Sequence, residues 1–482
     1  MPLGNGKLCA FPYGGIWEEE VLLGNIIDGA VELIQLLKIQ CKERLKVKNY
    51  CRKLDINQAI EIVDFESEEC SYRREYFISR ELNMFFIKFS ATERMKEVLI
   101  SIEEVSRSTK QNKAASVTNK LKLVILDTDG EVRYLGEGKN KIEITQSRQI
   151  ILGLSSGDYI AEKEKIYQNG YNEIKKLHTA CYQKKLHRVN FSLNDVCNTS
   201  TIVVTDNIVK DAEKDKVVCA FIHYCRYLLI SFYYKKNRNK QGEDEEQVIC
   251  GLQSSEEFIS CLEYIMCMFA LNLEECIGKH YMRLMYTDID LIVMQAIKKN
   301  QLQEICVLLE RVFQYIDNPQ LLYKVFYPCV KRQTKENLRH QIYDVVGMKF
   351  YKKLCEKLQL SSSLLEDIKQ ANKEGEWEGK HQQEEYSNLL IEKEVVERIK
   401  NYEIWNPFNL KKQIPYKTAE LLIRMIIEEQ SGELRLLPEL PKVWKNGSLT
   451  GVRMDRAKVI EIYWEDSKVI EFIVNEFNEA GV

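Results

Sequence analysis

The amino-acid sequence predicts a multidomain fold in which β structure is followed by helices and then by a small β domain. Three observations support this order. Short alternating runs rich in Ile, Val, Phe and Tyr fill residues 49–160, helical spacing extends from about residue 160 to about 430, and strand patterns return in 431–482. With 482 residues, the chain is long enough for two to four domains with hydrophobic cores of their own.

The N-terminal strands are numerous, and a β-sandwich is the natural way to bury one face of each. Residues 120–136 are predicted to form two strands joined in a hairpin at Asp129-Gly130, a dipeptide typical of tight β-turns. Residues 141–155 are predicted to supply two more strands.

The helical part begins with an amphipathic segment and continues with a more apolar one. Segment 217–234 is apolar nearly all round and is predicted to be a central helix. Further helical patterns cover 256–276, 291–316, 320–346 and 416–430. In segment 171–189 the residues placed near one stripe are Ile174, Leu177, Cys181, Leu186 and Val189.

The closing segment, "LRLLPELPKVWKNGSLTGV" at 434–452, differs in composition from the lysine- and glutamate-rich region before it. Pro438 and Pro441 are predicted to stiffen an extended crossing from the last helix. Gly447 and Gly451 are predicted to permit turns into the final strands.

The final strands are predicted at 458–464 and 468–474, joined through residues 465–467. Trp444, which precedes them, is predicted to be packed in the interior and not to bind a ligand. This part of the sequence therefore indicates architecture and not chemistry.

Composition argues against several classes of function. A net charge of -3 favours no nucleic-acid partner, and the lysine run at 233–240 is followed at once by acidic residues. No apolar run is long enough for a membrane span, and residues 1–15 lack the pattern of a signal peptide, so the expected location is the cytoplasm. The chain begins at the edge of the segment "PLGNG" (2–6), which is also compatible with a truncated N-terminus.

Metal and cofactor sites are not expected. Fifteen cysteines without a CxxC pair and six scattered histidines predict a reduced protein with no zinc site. The GxG sequence at 136–138 lacks the following helix that a phosphate site requires, so no cofactor is predicted.

Six stretches of the chain resemble, in the same order, motifs of glycoside hydrolase family 95, which contains the inverting α-L-fucosidases. The closing stretch "SGELRLLPELPKVWKNGSLTGVR" is similar to the family's "GEIxLLPALPxxWxxGxVxGLR". The others are "PLGNGKLCAFPYGGIWEEEVLL" (2–23), "NYCRKLDINQAI" (49–60), "SYRREYFIS" (71–79), "YNEIKKLHTACYQKKLHRVNFSL" (171–193) and "HYCRYLLIS" (223–231).

The resemblance implies an N-terminal β-sandwich, linker helices, an (α/α)6-type barrel and a C-terminal β domain. The domains implied are 1–160 for the sandwich, 161–235 for the linker helices and first barrel helix, 236–430 for a shortened barrel, and 431–482 for the C-terminal domain. The implied substrate is a fucosylated oligosaccharide or another glycan.

The catalytic motifs match less well than the scaffold motifs. Hydrolysis with inversion needs a protonated carboxyl and a second group that activates water. The family's acid is a glutamate, and the resemblance places that position at Arg311, whose guanidinium cannot donate a proton at neutral pH. Glu310 is the neighbouring carboxylate, about 100° away around the helix. The supporting aspartate falls on Lys411, and the asparagine motif that should follow residue 231 is missing.

Thr287 and Asp288, in "YTDIDL", match the family's "NTDxW" segment and are the remaining candidates for substrate binding. Asp288 is equally well explained as a helix N-cap. Three hypotheses about function follow. The first is an α-L-fucosidase that retains hydrolysis through Glu310 or another carboxylate, and the second is a catalytically inactive carbohydrate-binding or scaffold protein. The third is a decayed gene product whose shortened barrel does not close.

Overall fold

The computed structural model describes residues 1–27, 30–68, 70–105, 120–135, 141–155, 159–194, 203–204, 214–232, 251–299, 301–315, 414–430, 433–454 and 458–476. These residues belong to two compact units. Unit 1 contains the described residues up to Arg188 together with 203–204 and 214–232, and unit 2 contains Val189–Asn194 and the described residues from 251 onward.

Unit 1 is built on one 12-stranded antiparallel sheet. Its strands in chain order are β1 Leu3–Gly4, β2 Leu8–Pro12, β3 Glu18–Ile27, β4 Ala30–Cys41, β5 Lys48–Asp55, β6 Ile60–Glu66, β7 Ser71–Ser79, β8 Met84–Glu104, β9 Lys122–Thr128, β10 Glu131–Leu135 and β11 Lys141–Ser155. The twelfth, Val203–Val204, pairs with β5 and is β13 in chain order.

The long strand β8 joins two branches of this sheet. Its first half pairs with β7 and its last seven residues pair with β4, while β11 pairs with it along the other side. One branch runs β4-β3-β2-β1 and the other β7-β6-β5-β13. The predicted β structure is therefore confirmed, and it takes the form of one branched antiparallel sheet in which the long strands β8 and β11 connect the two branches.

The predicted hairpin at Asp129-Gly130 is wrong. Both β9 and β10 pair with β11, at its last and first residues respectively, so the chain continues in one direction across Asp129. Residues 141–155 form one bulged strand and not two. The Asp129 carboxylate accepts hydrogen bonds from the Arg148 amide (2.8 Å) and the Gln149 amide (3.0 Å), which fixes the bulge. The Asp129 side chain thus accepts backbone hydrogen bonds from the neighbouring strand β11 and does not close a hairpin turn.

Two helices complete the described part of unit 1: α1 Tyr159–Leu186, kinked at Gly170, and α2 Lys214–Phe232. Helix α1 packs on the sheet through Ile174, whose cluster includes Phe77 and Phe86. Leu177 is 44% exposed, so the predicted stripe is wrong at that position. The buried side chains instead recur every four residues, at Ile174, His178, Tyr182 and Leu186.

Helix α2 confirms the prediction of a central helix. Its described side chains from Val218 to Phe232 are buried, apart from two of intermediate exposure. The Arg226 guanidinium donates to the Leu186 carbonyl (3.2 Å) at the end of α1, which satisfies a terminal carbonyl of that helix.

Unit 2 combines helices with a small sheet. The helices are α3 Ser255–Ala270, α4 Gly278–Met285, α5 Ile289–Lys298, α6 Leu302–Tyr315 and α7 Ile414–Ile426, with a 3-10 turn at Glu274–Cys276. The strands are β12 Asn190–Leu193, β14 Ile427–Gln430, β15 Glu433–Leu436, β16 Gly447–Arg453, β17 Lys458–Glu465 and β18 Lys468–Glu476. Four of them form an antiparallel sheet in the order β12-β16-β17-β18, and β14 pairs with β15.

The closing segment differs from its prediction in path but not in role. It turns twice between β15 and β16 and makes no extended crossing, with the Trp444 amide donating to the Pro441 carbonyl (2.9 Å). Gly447 is the first residue of β16 and not part of a turn. A side chain is excluded there, since an added Cβ would stand 2.3 Å from the Trp464 ring. Gly451 (φ 78°) occupies a bulge. Trp444 is fully buried against Phe191, which confirms the packing prediction.

No helix among the described residues is both long and apolar enough to cross a bilayer.

Candidate functional site

The structure does not describe the side chains of two predicted site positions, Glu310 and Lys411. The backbone of Glu310 is described and belongs to α6. Lys411 falls in 316–413, which is not described. The catalytic hypothesis for Glu310 therefore stays a prediction.

Thr287 and Asp288 are described, and both have local structural partners. The buried Thr287 hydroxyl donates to the Arg283 carbonyl (2.7 Å) and accepts from the Leu252 amide (2.9 Å). The exposed Asp288 carboxylate accepts from the Leu291 amide (3.2 Å), as an N-cap of α5 does. Their role in substrate binding stays a prediction.

Arg311 lines a narrow cleft of unit 2, which we call the Arg311 cleft. Side chains from α3, α6, α7, β14 and β16 surround it, and its volume is about 50 Å³. The charged lining residues are Arg311, Glu420, Arg424, Glu428 and Arg453. A space of this size admits a few water molecules, and a sugar ring would need a larger one.

The charges in the Arg311 cleft form alternating pairs. The Arg311 guanidinium lies 3.8 Å from the Glu428 carboxylate, which also pairs with Arg424, and Arg424 in turn lies 3.8 Å from Glu420. Burial alone would lower the pKa of Arg424, but attraction to Glu420 and Glu428 raises that pKa above its ordinary value. The arginines therefore stay charged and neutralise the carboxylates.

Such a pattern is typical of a structural ion-pair network. A general acid needs surroundings that favour its protonated form, such as an apolar pocket or a neighbouring carboxylate without a cation. Glu428 instead has two guanidinium groups beside it. Sequence reasoning missed Glu420 and Glu428, since nothing in the local sequence of α7 or β14 links them to α6.

On the far side of the Arg311 cleft, Arg453 is held by three contacts. It pairs with Glu274 (3.0 Å), lies 5.7 Å above the Phe269 ring, and accepts a hydrogen bond at its carbonyl from the Tyr315 hydroxyl (3.2 Å). Phe269 and Tyr315 stack at 4.5 Å. These contacts fix the wall of the cleft before any ligand binds.

A larger cavity lies in unit 1, between the sheet and the kink of α1. This Gly170 cavity has a volume of about 490 Å³, within the size range of small-molecule sites. Gly170 has φ 68°, and an added Cβ there would meet no atom within 4 Å, so the kink opens onto free space. The lining residues are Phe86, Lys88, Leu126, Asp127, Gln149, Ile151, Asn169, Gly170, Tyr171, Asn172 and Ile174.

The chemistry of the Gly170 cavity is mixed. Phe86, Ile151 and Ile174 provide a buried apolar floor. Around it are amide, carboxylate and ammonium groups; the Gln149 amide already donates to Asp127 (2.8 Å), and the Lys88 ammonium lies 5.3 Å from the centre of the Tyr171 ring. An apolar floor with hydrogen-bonding groups at its rim suits a neutral, hydroxyl-rich ligand such as a pyranose.

The scaffold motifs meet elsewhere in unit 1, at a junction made by residues 2–6, 71–79 and 223–231. The Asn5 amide donates to the Ser79 carbonyl (3.0 Å), and its oxygen accepts from the Lys7 (3.0 Å) and Leu8 (2.8 Å) amides. The Gly6 amide donates to the Ser231 carbonyl (2.7 Å). We call this arrangement the motif junction.

Two family models match the chain, one in each unit. Residues 32–174 match the N-terminal domain of glycosyl hydrolase family 65, and residues 429–480 match the C-terminal domain of glycoside hydrolase family 95. This chain carries domains of the glycoside hydrolase type. The second match covers the closing segment on which the resemblance to family 95 rests, whereas the first names a different family for the N-terminal part.

Among solved structures, the "Putative kojibiose phosphorylase from human microbiome" aligns with a TM-score of 0.43 and 9% identity, covering 99% of this chain and 96% of that chain. A bacterial glucoamylase complexed with acarbose aligns with a TM-score of 0.38 and 9% identity, covering 77% of this chain and 65% of that chain. Among curated proteins, none matches. The glycoside hydrolase assignment therefore rests on the two domain matches.

Proposed function

We propose that this glycoside hydrolase-type protein binds carbohydrate, with fucosylated glycans as its ligands, and does not hydrolyse it. The observation that carries the proposal is Arg311. By resemblance, this position belongs to the proton-donating glutamate, and here it holds a guanidinium paired with Glu428 at 3.8 Å. In the same proposal, the helices of unit 2 belong to a shortened (α/α)6-type barrel.

The Gly170 cavity is where we expect the sugar to bind. Its volume of about 490 Å³ is sufficient for a monosaccharide, whereas the Arg311 cleft of about 50 Å³ is not. A pyranose would lay its C–H face on the apolar floor and exchange hydrogen bonds with Gln149 and Asn172. Lys88 and Asp127 carry opposite charges, which favours a neutral ligand over an ionic one.

Saturation-transfer NMR with methyl α-L-fucoside tests this proposal. We expect saturable binding in the millimolar range, lost in Gln149→Ala and Asn172→Ala and retained in the matched control Gln183→Ala, which alters α1 away from the cavity. Asp288→Asn should leave binding at this cavity unchanged. Absence of saturation up to tens of millimolar ligand, where binding worth about 3–4 kcal/mol would be visible, contradicts the proposal.

A second candidate is an α-L-fucosidase that retains inversion. It is favoured by the position of Glu310, which precedes Arg311 in α6 and could take over as the acid if its side chain reaches the substrate. This candidate requires fucoside hydrolysis that Glu310→Gln abolishes.

A further inference from the structure

Strand β18 is the last strand of the small sheet of unit 2. Among the described strands it pairs only with β17, so its outer edge presents unpaired backbone groups. It is nine residues long, KVIEFIVNE. Long edge strands readily pair with another chain unless they are protected.

The side chains of β18 are unusually apolar for such an edge. Val469 is 37% exposed, Ile470 58% and Val474 48%. Phe472 lies between them and is partly buried. In the pairing register, Val469 lies opposite the buried Trp464 and Val474 lies opposite the buried Ile460. Val469 and Val474 therefore continue the core face of the sheet onto its last strand.

Two of the three charges of β18 are arranged symmetrically about Phe472, and the third, Glu471, has Ile473 at the matching position. Lys468 and Glu476 stand four residues from it on either side. If two copies of β18 run antiparallel with a two-fold axis at Phe472, Lys468 of each copy lies opposite Glu476 of the other. In the same register, Ile470 lies opposite Val474.

We propose that β18 pairs with β18 of a second copy of this chain, extending the four-stranded sheet of each copy into one continuous sheet of eight strands. The contact is isologous, as a two-fold dimer requires. It would satisfy the backbone groups of the edge, cover the exposed apolar side chains and make two Lys468–Glu476 pairs.

A β-bulge interrupts the regular pairing near the start of β18. The register shifts between Tyr463 and Trp464, which leaves Ile470 as an extra residue in β18. Bulges can protect an edge from pairing. The Lys468 side chain is long enough to span the resulting offset, and the following experiment distinguishes pairing from protection.

Charge complementation tests the proposal directly. Lys468→Glu places glutamates at both 468 and 476, and Glu476→Lys places lysines at both, so each variant alone brings like charges together in the dimer. An equimolar mixture restores two opposite pairs per heterodimer. Sedimentation velocity over a concentration series should show a wild-type dimer, a dissociation constant at least about tenfold higher for each single variant, and recovery in the mixture.

Two further variants probe the apolar contact. Ile470→Lys and Val474→Lys should each weaken the dimer, whereas Val443→Lys, at a 54% exposed site off the strand, should not. Circular dichroism melting checks that every variant is folded, and recovery in the mixture requires folded chains in any event. A wild-type monomer at all concentrations, or a dimer that none of the β18 variants weakens, overturns the proposal.

Discussion

The motif junction and the Arg311 cleft were both located through family-like motifs, but the two regions are built differently. At the motif junction, the Asn5 amide uses both its donor and its acceptor on backbone groups of unit 1. In the Arg311 cleft, the resemblance would place a carboxylate at position 311, and the structure shows Arg311 paired with Glu428.

The difference shows at which positions the fold itself requires a particular residue. Gly4 cannot change without a clash, since an added Cβ would lie 2.5 Å from the Ser231 carbonyl oxygen. Arg311, in contrast, makes a partly exposed ion pair at 3.8 Å, a contact that many residues could replace at little cost to stability. Folding therefore restricts which residues can occupy the motif junction, whereas in the Arg311 cleft only a binding or catalytic requirement would restrict the choice of residue.

The largest expected effect is at the motif junction. Asn5→Ala removes the acceptor of two backbone amides and the donor to the Ser79 carbonyl, and should lower the free energy of unfolding by about 3–4 kcal/mol, because each orphaned buried group costs about 1–3 kcal/mol. Urea unfolding measures this change. Asn172→Ala, at an exposed position in the same unit, is the control and should change stability by less than about 0.5 kcal/mol.

His178 should give unit 1 a dependence on pH. Burial, the largest cause, and nearby Arg80 lower its pKa from 6.5 to about 4. Between these values the unfolded chain binds a proton that the folded chain does not, so stability is complete above pH 6.5 and falls as the pH drops towards 4. The loss should approach about 3 kcal/mol.

Unfolding measured from pH 7 to pH 4 in His178→Phe tests this expectation, since phenylalanine can still stack on Phe77, whose ring centre lies 4.9 Å from that of His178. The variant should lose less stability than the wild type over this range. Gln183→Ala, at an uncharged side chain of the same helix, should follow the wild type. Parallel pH curves for the wild type and His178→Phe would refute this assignment.

In the Arg311 cleft the expected effect is smaller. Arg311→Met removes one partly exposed partner of Glu428, and Arg424 remains beside that carboxylate, so stability should fall by less than about 1 kcal/mol. Glu428→Gln should behave similarly. A loss comparable to that of Asn5→Ala would remove the contrast between the two regions.

The smallest effect is expected at Asp129. Backbone hydrogen bonds from Gln149 and the other donors of the bulge lower the pKa of its carboxyl to about 2. The contribution is present above the ordinary carboxyl pKa and is lost as the pH falls from about 4 towards 2. Solvent screens this exposed group, so Asp129→Asn should cost about 0.5 kcal/mol or less at pH 7, and the wild type and variant should converge near pH 2.

Patterns in the sequence were sufficient to predict features that burial dictates. The apolar run of α2, the packed Trp444 and the strands at 458–464 and 468–474 follow from hydrophobic spacing and are confirmed. The hairpin at Asp129-Gly130 was wrong because a local turn signal was outweighed by continuous pairing with β11. A dipeptide typical of turns does not show with which distant strand the flanking residues will pair.

The sites were harder to predict for the same reason. Motif alignment placed Arg311, but its partner Glu428 comes from a remote segment whose local sequence carries no sign of the pairing. The Gly170 cavity arises from a kink in α1, where a helical pattern continues across the glycine without interruption. Both the Arg311 cleft and the Gly170 cavity are formed by residues that are distant in the sequence and close in space, which residue type alone does not indicate.

We would first test whether this glycoside hydrolase-type protein hydrolyses a fucoside. Stoichiometric folded protein is incubated for a long time with an aryl α-L-fucoside, and the released phenol is quantified. We expect release no greater than that of the buffer blank, and equal for wild type and Glu310→Gln. Release by the wild type that Glu310→Gln abolishes would refute the proposed loss of hydrolysis and establish a rebuilt catalytic site on α6.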